Sequence, residues 1–233
     1  IYDRVGSSFA ATPPEAWPWD DFLEGASWLH LSGITAALGP GGAEAAIRAA
    51  QTARARGVKV SFDVNWRDQL WARWPGEPRR ILVQLVSNAN VLFGNHRDVS
   101  LLLGRDLSGD DPAARRRAAE DAFVAFPGLA FIASTIRQVE TAESHRLTGR
   151  IDTPERCIEA EEIPLLGIVE RIGGGDAFAA GILHGLLSGD DLERILQSGL
   201  ALAALKHSLP GDACCLRQSD IDVFLGNRVD IRR

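Results

Sequence analysis

The 233-residue sequence contains no methionine, a single tyrosine (Tyr2) and only three cysteines, Cys157, Cys214 and Cys215. An odd number of thiols in no metal-ligand spacing argues against a disulfide framework and points to a reducing compartment. Cys214 and Cys215 are adjacent, too constrained for an ordinary structural bridge, and are expected as buried thiols. No run approaches the ~20 apolar residues of a membrane-spanning helix, and the chain opens on no secretory leader pattern. Positive charge is in deficit: 25 Lys and Arg stand against 31 Asp and Glu, a net charge of −6. That balance argues against a binder that works by neutralising nucleic-acid phosphates. Histidine is sparse, and His96, His145 and His207 have no partner at metal spacing. The expectation is a soluble, cytoplasmic, globular protein without nucleic-acid or membrane partners. Its 45% hydrophobic and 24% charged residues argue against global disorder.

Short alternating elements fill the chain. Trp28 to Ser32 reads as a strand ending in a turn at Gly33. Pro40-Gly41-Gly42 reads as a break, with a helix from Ala43 to Arg56 stopped by Gly57. A β-branched strand covers 58–63, and residues 77–89 have helical spacing through Ile81, Leu82, Leu85 and Val86. A third strand (90–94), a short helix to Gly104, a charged helix (110–125, opening on Asp111-Pro112) and a fourth strand (129–134) follow. This alternation predicts βαβ units and a mostly parallel sheet covered on both faces. Residues 136–170 read as short, partly polar strands or hairpins, and helices are expected at 174–187, 191–207 and 219–224. No repeat, low-complexity segment or linker interrupts the pattern, which predicts one α/β domain.

The most informative segment is Ile172-Gly173-Gly174-Gly175-Asp176-Ala177-Phe178-Ala179-Ala180-Gly181. Three glycines ahead of a small-residue helix expose unpaired N–H groups at the positive end of the helix dipole, an arrangement that binds anions. Side chains there would keep a phosphate from the amides. Asp176 has two readings: a helix-start cap, or a carboxylate beside a bound phosphoryl group that takes a proton from an attacking hydroxyl. The run is neither a Walker A loop nor a Rossmann fingerprint.

Gly173-Gly174-Gly175-Asp176, with Phe178 and Gly181, resembles the C-terminal signature of the ribokinase-like (pfkB) carbohydrate kinases, in which Gly174 is often Ala. The resemblance extends from about Ile1 to Phe224. It implies a three-layer α/β/α fold with a mostly parallel central sheet, and ATP-dependent phosphorylation with Mg²⁺. It also implies that Gly173, Gly174 and Gly175 form the anion hole and that Asp176 is the base. Within the family the chain is most similar to 2-keto-3-deoxygluconate kinases. Tyr2-Asp3-Arg4 before Gly6-Ser7 resembles the segment that holds the sugar acid, and Ser32-Gly33-Ile34-Thr35 the turn beside the sugar. The stretch Phe62 to Trp71 is similar to an Asp-x-Asn-Tyr-Arg-x-x-Leu-Trp motif, with Trp66 in place of Tyr. Leu209-Pro210-Gly211-Asp212 resembles the loop that returns a second aspartate to the substrate.

The implied substrate-binding set is Tyr2, Arg4, Ile34, Arg67, Asp176 and Asp212, and the nucleotide-binding set is Asn65, Thr135 and the three glycines. Asn95-His96-Arg97-Asp98 resembles the Asn-x-x-Glu motif that organises Mg²⁺ through water, with Asp98 in place of Glu. The other reading of the same residues is a helix cap at Asn95 with an acidic first turn. Thr135-Ile136-Arg137 lies where the family often has a Gly-rich ATP loop, without those glycines.

A sugar acid calls for a guanidinium fork, which binds a carboxylate through two parallel hydrogen bonds. Arg67, in an aromatic-rich loop after a strand end, and Arg4 are the candidates, although most of the many arginines simply solvate surface. The resemblance, and not domain size, implies roughly a hundred further N-terminal residues in family members. Residues 1–9 are therefore read as the remnant of a β lid, through which a homo-oligomer would form. Residues 10–233 are read as the kinase domain without its N-terminal strands. The expected function is phosphorylation of a sugar acid at a primary hydroxyl, 2-keto-3-deoxygluconate to its 6-phosphate. The alternatives are a fructokinase or other neutral-sugar kinase, and a non-catalytic sugar- or nucleotide-binding relic.

Overall fold

The computed structural model describes residues 6–230, with backbone alone for 227–230; Tyr2 and Arg4 lie outside the described residues. Backbone proximity divides the chain into two compact units, residues 1–132 and 133–233.

The first unit opens with short helices α1 (Ser8–Ala11) and α2 (Trp19–Phe22). β1 (Trp28–Ser32) then leads directly into α3 (Gly33–Ala37), which is followed by α4 (Pro40–Ala55). β2 (Lys59–Asp63) lies parallel to β1, with Trp28 opposite Lys59 and Ser32 opposite Asp63. After α5 (Asp68–Trp71) and α6 (Pro78–Val86), β3 (Val91–Phe93) lies parallel to β2. Val60, Ser61 and Phe62 are completely buried, as expected of a parallel strand covered on both faces. The alanine-rich face of α4 (Ala46, Ala49, Ala50, Ala53) and the apolar face of α6 (Leu82, Leu85) belong to the same core as Phe62 and Leu92. The unit continues through α7 (His96–Leu103) and α8 (Pro112–Ala125), where Asp111 caps the Ala114 N–H at 2.7 Å.

Two expectations are corrected here. Gly33 opens a helix instead of a turn, because the Ser32 hydroxyl accepts the Ile34 N–H and starts α3 at once. Pro40-Gly41-Gly42 is the first turn of α4 and not a break. Proline suits the first helical position, and a Cβ at Gly42 would lie 2.3 Å from the Thr35 carbonyl oxygen. The close seat of α4 on α3 thus overrides the poor helix propensity of glycine.

The second unit takes up the chain within β4 (Phe131–Val139), which runs five residues past its expected end at 134. The turn to β5 (Ser144–Asp152) is closed by the Glu140 and Thr141 N–H groups, both donating to Ser144 O. Cross-strand pairing lengthens a strand beyond its apolar stretch, since a ladder satisfies backbone groups without burying side chains, and Arg137 and Gln138 are exposed. β5 pairs antiparallel with β6 (Cys157–Glu159) and with β7 (Ile163–Leu166). Arg150, 2% exposed on β5, bonds both oxygens of Asp152 at 2.6 and 2.8 Å and reaches Glu159 at 3.2 Å. Helices α9 (Gly174–Ser188) and α10 (Leu192–Lys206) pack on each other, and α11 (Gln218–Asp230) packs on α10. The last helix is longer than the expected 219–224.

Cys215 is exposed and Cys214 is half-buried, against the expectation of buried thiols for this pair, and Cys157 is exposed. Residues 212–217 lie in no helix or strand, so only alternate side chains such as Cys214 and Leu216 turn onto the small core around Ile221.

Candidate active site

The N-terminus of α9 begins at Gly173, which adopts a left-handed conformation (φ 82°, ψ −3°) closed to most side chains. A Cβ there would also lie 2.3 Å from Asp212 O and 3.2 Å from Lys206 Cε. The backbone of the Asp212 loop therefore sits on the glycine run, and Asp212 itself is exposed. Lys206 holds that loop in place: fully buried, it donates to Leu209 O at 3.2 Å and Gly211 O at 2.7 Å. Gly174 is buried against His207, whereas Gly175 faces open space.

No side chain caps this helix. Asp176 is exposed in the first turn, and its carboxylate has no hydrogen bond or ion pair among the described residues. The capping reading is thus not realised as a hydrogen bond; a favourable interaction with the dipole remains, on the order of 0.3–1 kcal/mol. Just ahead, Glu170 Oε1 accepts the N–H groups of Arg171 and Ile172 at 2.7 and 3.1 Å, pinning the segment that leads into Gly173. Those bonds, from Ile172 and then Arg171, hold the Glu170 carboxyl below the usual carboxylate range.

A pocket of about 210 Å³ opens at this terminus, lined by Thr135, Arg137, Leu147, Arg171, Gly174, Gly175, Ala203 and His207. Thr135 and Arg137 are two residues apart on β4 and so share a face. Thr135 was anticipated from the sequence; Arg137, Arg171 and His207 were not. The signals were modest: Arg137 stands two residues after Thr135 on a strand, and Arg171 two residues before the glycines. His207 has no partner at metal spacing, so the sequence does not single it out. The lining contains two guanidinium groups and bare amides but no carboxylate, which is the chemistry of a polyphosphate site.

In the first unit, the carboxyl ends of β1 and β2 gather another set of predicted residues. Open α/β sheets bind ligands outside the carboxyl ends of their strands. Gly33 lies so close to the second segment that a Cβ would sit 2.0 Å from Val64 O. Asn65 has φ 41°, the one described non-glycine residue in the left-handed region. Its N–H donates to Asp63 Oδ1 at 3.0 Å and its side-chain amide to Ser32 Oγ at 3.4 Å. The half-buried Ile34 follows Ser32 on α3. Trp66 donates to Asp68 at 2.7 Å and stacks on Trp71, which stacks on Trp74, each pair 5.8 Å apart. Against this aromatic wall, Arg67 is exposed, and one of its NH groups donates to Trp66 O at 2.9 Å.

Asn95 and Asp98 form a reciprocal capping box at the start of α7. Asn95 Oδ1 accepts the Arg97 N–H at 2.8 Å, and Asp98 Oδ2 accepts the Asn95 N–H at 2.7 Å. Burial pushes the Asp98 carboxyl above its ordinary range. Among the described residues no group of three His, Cys, Asp or Glu side chains could hold a metal ion. An Mg²⁺ that arrives coordinated by nucleotide phosphates and water needs no such cage.

A family model described as pfkB family carbohydrate kinase matches residues 151–218 of this chain. A 2-dehydro-3-deoxygalactonokinase from Haloferax volcanii is 29% identical over 97% of the chain. The chain spans 65% of that relative's length. The solved structure of a PfkB family carbohydrate kinase from Listeria grayi is 31% identical with a TM-score of 0.87, covering 97% of this chain and 68% of that one. That of a 2-dehydro-3-deoxygluconokinase from Thermotoga maritima is 28% identical with a TM-score of 0.89, at the same coverage. The fold is accordingly three-layer α/β with a mixed, mostly parallel sheet.

Proposed function

The chain belongs to the pfkB family of carbohydrate kinases, and on that premise we propose that it transfers the γ-phosphoryl group of ATP to a primary hydroxyl of a sugar acid, 2-keto-3-deoxygluconate in the first place. The observation that carries this reading is the uncapped glycine terminus of α9, with the unbonded Asp176 carboxylate in its first turn and a basic pocket beside it. The sugar-acid assignment is supported by the names of the Haloferax and Thermotoga relatives, both kinases of 2-dehydro-3-deoxy sugar acids.

Each unit has its own task in this reading. In the second, Asp176 accepts the proton of the attacking hydroxyl, and Asp212 orients that hydroxyl. The amides at Gly173 to Gly175 receive the phosphoryl oxygens as charge builds on them, and Thr135 contributes a hydroxyl to the nucleotide phosphates. In the first, Arg67 pairs with the sugar carboxylate, the backbone at Ile34 lies along the sugar, and Asn65 contacts the nucleotide. Tyr2 and Arg4 are assigned to the sugar acid with them. Mg²⁺, when bound, neutralises phosphate charge; Asn95 and Asp98 are assigned to the waters around it, each with one oxygen already in the capping box.

The test is ATP-dependent ADP release with 2-keto-3-deoxygluconate, its C4 epimer, fructose and ribose as acceptors. Turnover with the keto acids alone is expected. Turnover with neutral sugars alone removes the sugar-acid assignment, and turnover with none removes the kinase reading in favour of a binding protein. Arg67→Ala is expected to raise the KM for the keto acid about tenfold or more, as for loss of a charge-assisted pair, with the KM for ATP little changed. Equal losses for both ligands would take Arg67 out of the carboxylate site.

A further inference from the structure

His207 stands at the C-terminal end of α10, 5% exposed, and lines the pocket at the α9 terminus. Its Nδ1 lies 2.6 Å from Ala203 O. A carbonyl oxygen only accepts, so Nδ1 carries the hydrogen, and the neutral ring presents a bare lone pair at Nε2. That Nε2 is buried and has no hydrogen-bond partner among the described residues. The ring edge faces the first turn of α9: a Cβ on Gly174 would sit 2.8 Å from Cε1 and 3.4 Å from Nε2.

The charged groups that line the pocket around this lone pair are cations, and the nearby carboxylate of Glu170, whose N–H donates to His207 O, is taken up by the Arg171 and Ile172 amides. Arg137 comes from β4, His145 from β5, Arg171 from the segment before α9, and Lys206 from the same helix. The exposed amides of α9 point into the same space. An anion entering the pocket meets these donors, but it also meets the Nε2 lone pair, and two lone pairs repel. Protonating Nε2 turns that acceptor into a donor.

We propose that an anion binds at the α9 terminus together with one proton, taken from solvent to form the Nε2–H bond of an imidazolium at His207. The inference rests on the reading of this pocket as the phosphoryl site and adds a residue that neither the family resemblance nor the relatives' names supply. In the free protein, burial, then Arg137, His145 and Lys206, hold His207 below its ordinary value of 6.5, so the ring is neutral near pH 7. A bound dianion offsets those cations and raises it. Affinity therefore rises as pH falls through the window between the free and the anion-bound values, by up to about tenfold per pH unit for one proton.

Sulfate is the probe, because unlike phosphate it does not itself titrate near neutrality. Its binding to the whole chain is measured by calorimetry in buffers of low and high ionisation enthalpy, across the same pH range. The expected result is a buffer-dependent enthalpy equivalent to uptake of up to one proton. His207→Gln abolishes that uptake while sulfate still binds at the amides and arginines, and His145→Gln retains it. Buffer-independent binding by the unaltered chain overturns the proposal without any variant, and so does an absence of sulfate binding. Uptake that survives His207→Gln or vanishes with His145→Gln overturns it too. Should the His207 variant fail to fold, the imidazole resonances of the unaltered chain decide: one histidine must gain a sulfate-dependent titration that His145→Gln leaves in place. Proton-coupled sulfate binding without phosphoryl transfer keeps this inference and removes the kinase reading; sugar phosphorylation with buffer-independent sulfate binding does the reverse.

Discussion

Asp176 has no partner among the described residues to lose, so Asp176→Asn should leave the fold intact and report on chemistry alone. Turnover is expected to fall about 10²–10⁴-fold, the range for removing a general base, with thermal stability unchanged. Near-normal turnover would take the base out of the mechanism. The neighbouring glycines separate folding from binding in the same way. Gly173→Ala places a methyl in left-handed backbone 2.3 Å from Asp212 O and should destabilise the chain by about 1–3 kcal/mol in denaturant unfolding. Gly175→Ala meets nothing within 4 Å. It should leave stability level or raise it by up to about 1 kcal/mol, yet weaken ATP binding, because its methyl projects where the phosphates would approach. Loss of stability at both positions, with ATP affinity kept at 175, would mark the run as purely structural.

β5 carries a buried ion pair, Arg150–Asp152. Removing one member of a buried ion pair strands the other charge, so Arg150→Met should cost about 3–5 kcal/mol in denaturant unfolding. Adding Asp152→Leu should recover much of that loss, since the fully buried charges are then gone and only the partly exposed Glu159 loses a partner. A single variant as stable as the parent would show that solvent reaches the site. At this scale much of the architecture was legible from one sequence. β2 and β3 appear as runs of apolar and β-branched residues, and α6 and α8 through the spacing of Leu82, Leu85 and Val86 and through the Asp111-Pro112 start. The errors fell where tertiary contacts overrule local preference. Gly42 sits inside α4 because only a bare Cα fits against Thr35 O, and β4 runs past Ser134 with exposed Arg137 and Gln138 because pairing, not burial, holds them.

For the whole chain the titrating histidines set the response to acid. His96, His145 and His207 are all held below 6.5, by burial first and by neighbouring cations next. The unfolded chain therefore binds protons near pH 6.5 that the folded chain refuses. Stability from these groups is full above that pH and is lost as pH falls through 6.5 toward the folded values. The lowered carboxyls of Glu140, Glu170 and Asp222 act with the same sign, but only below their ordinary values of 4.5, 4.5 and 3.8. Asp98 acts in the opposite sense, since its raised value favours the folded chain when protonated, and that contribution fades as pH rises through it. The melting temperature is thus expected to fall between about pH 7 and about pH 5, and less steeply with saturating sulfate if His207 takes up its proton. A flat profile would contradict the burial of these rings.

The place of the proposed anion site is legible in residues 172–181, because glycines ahead of a helix expose its first amides whatever surrounds them. The aromatic Arg67 loop was legible for a similar local reason, its composition standing apart from ordinary surface. Which side chains join the glycines was decided by packing. Arg137 arrives on β4, Arg171 is pinned through Glu170, and α10 brings Lys206 under the Asp212 loop and His207 against Gly174. Contacts between residues so far apart in the chain leave no periodicity in a single sequence. A lone histidine becomes an acceptor among donors only when a carbonyl on its own helix has fixed its proton and the fold has buried its other nitrogen.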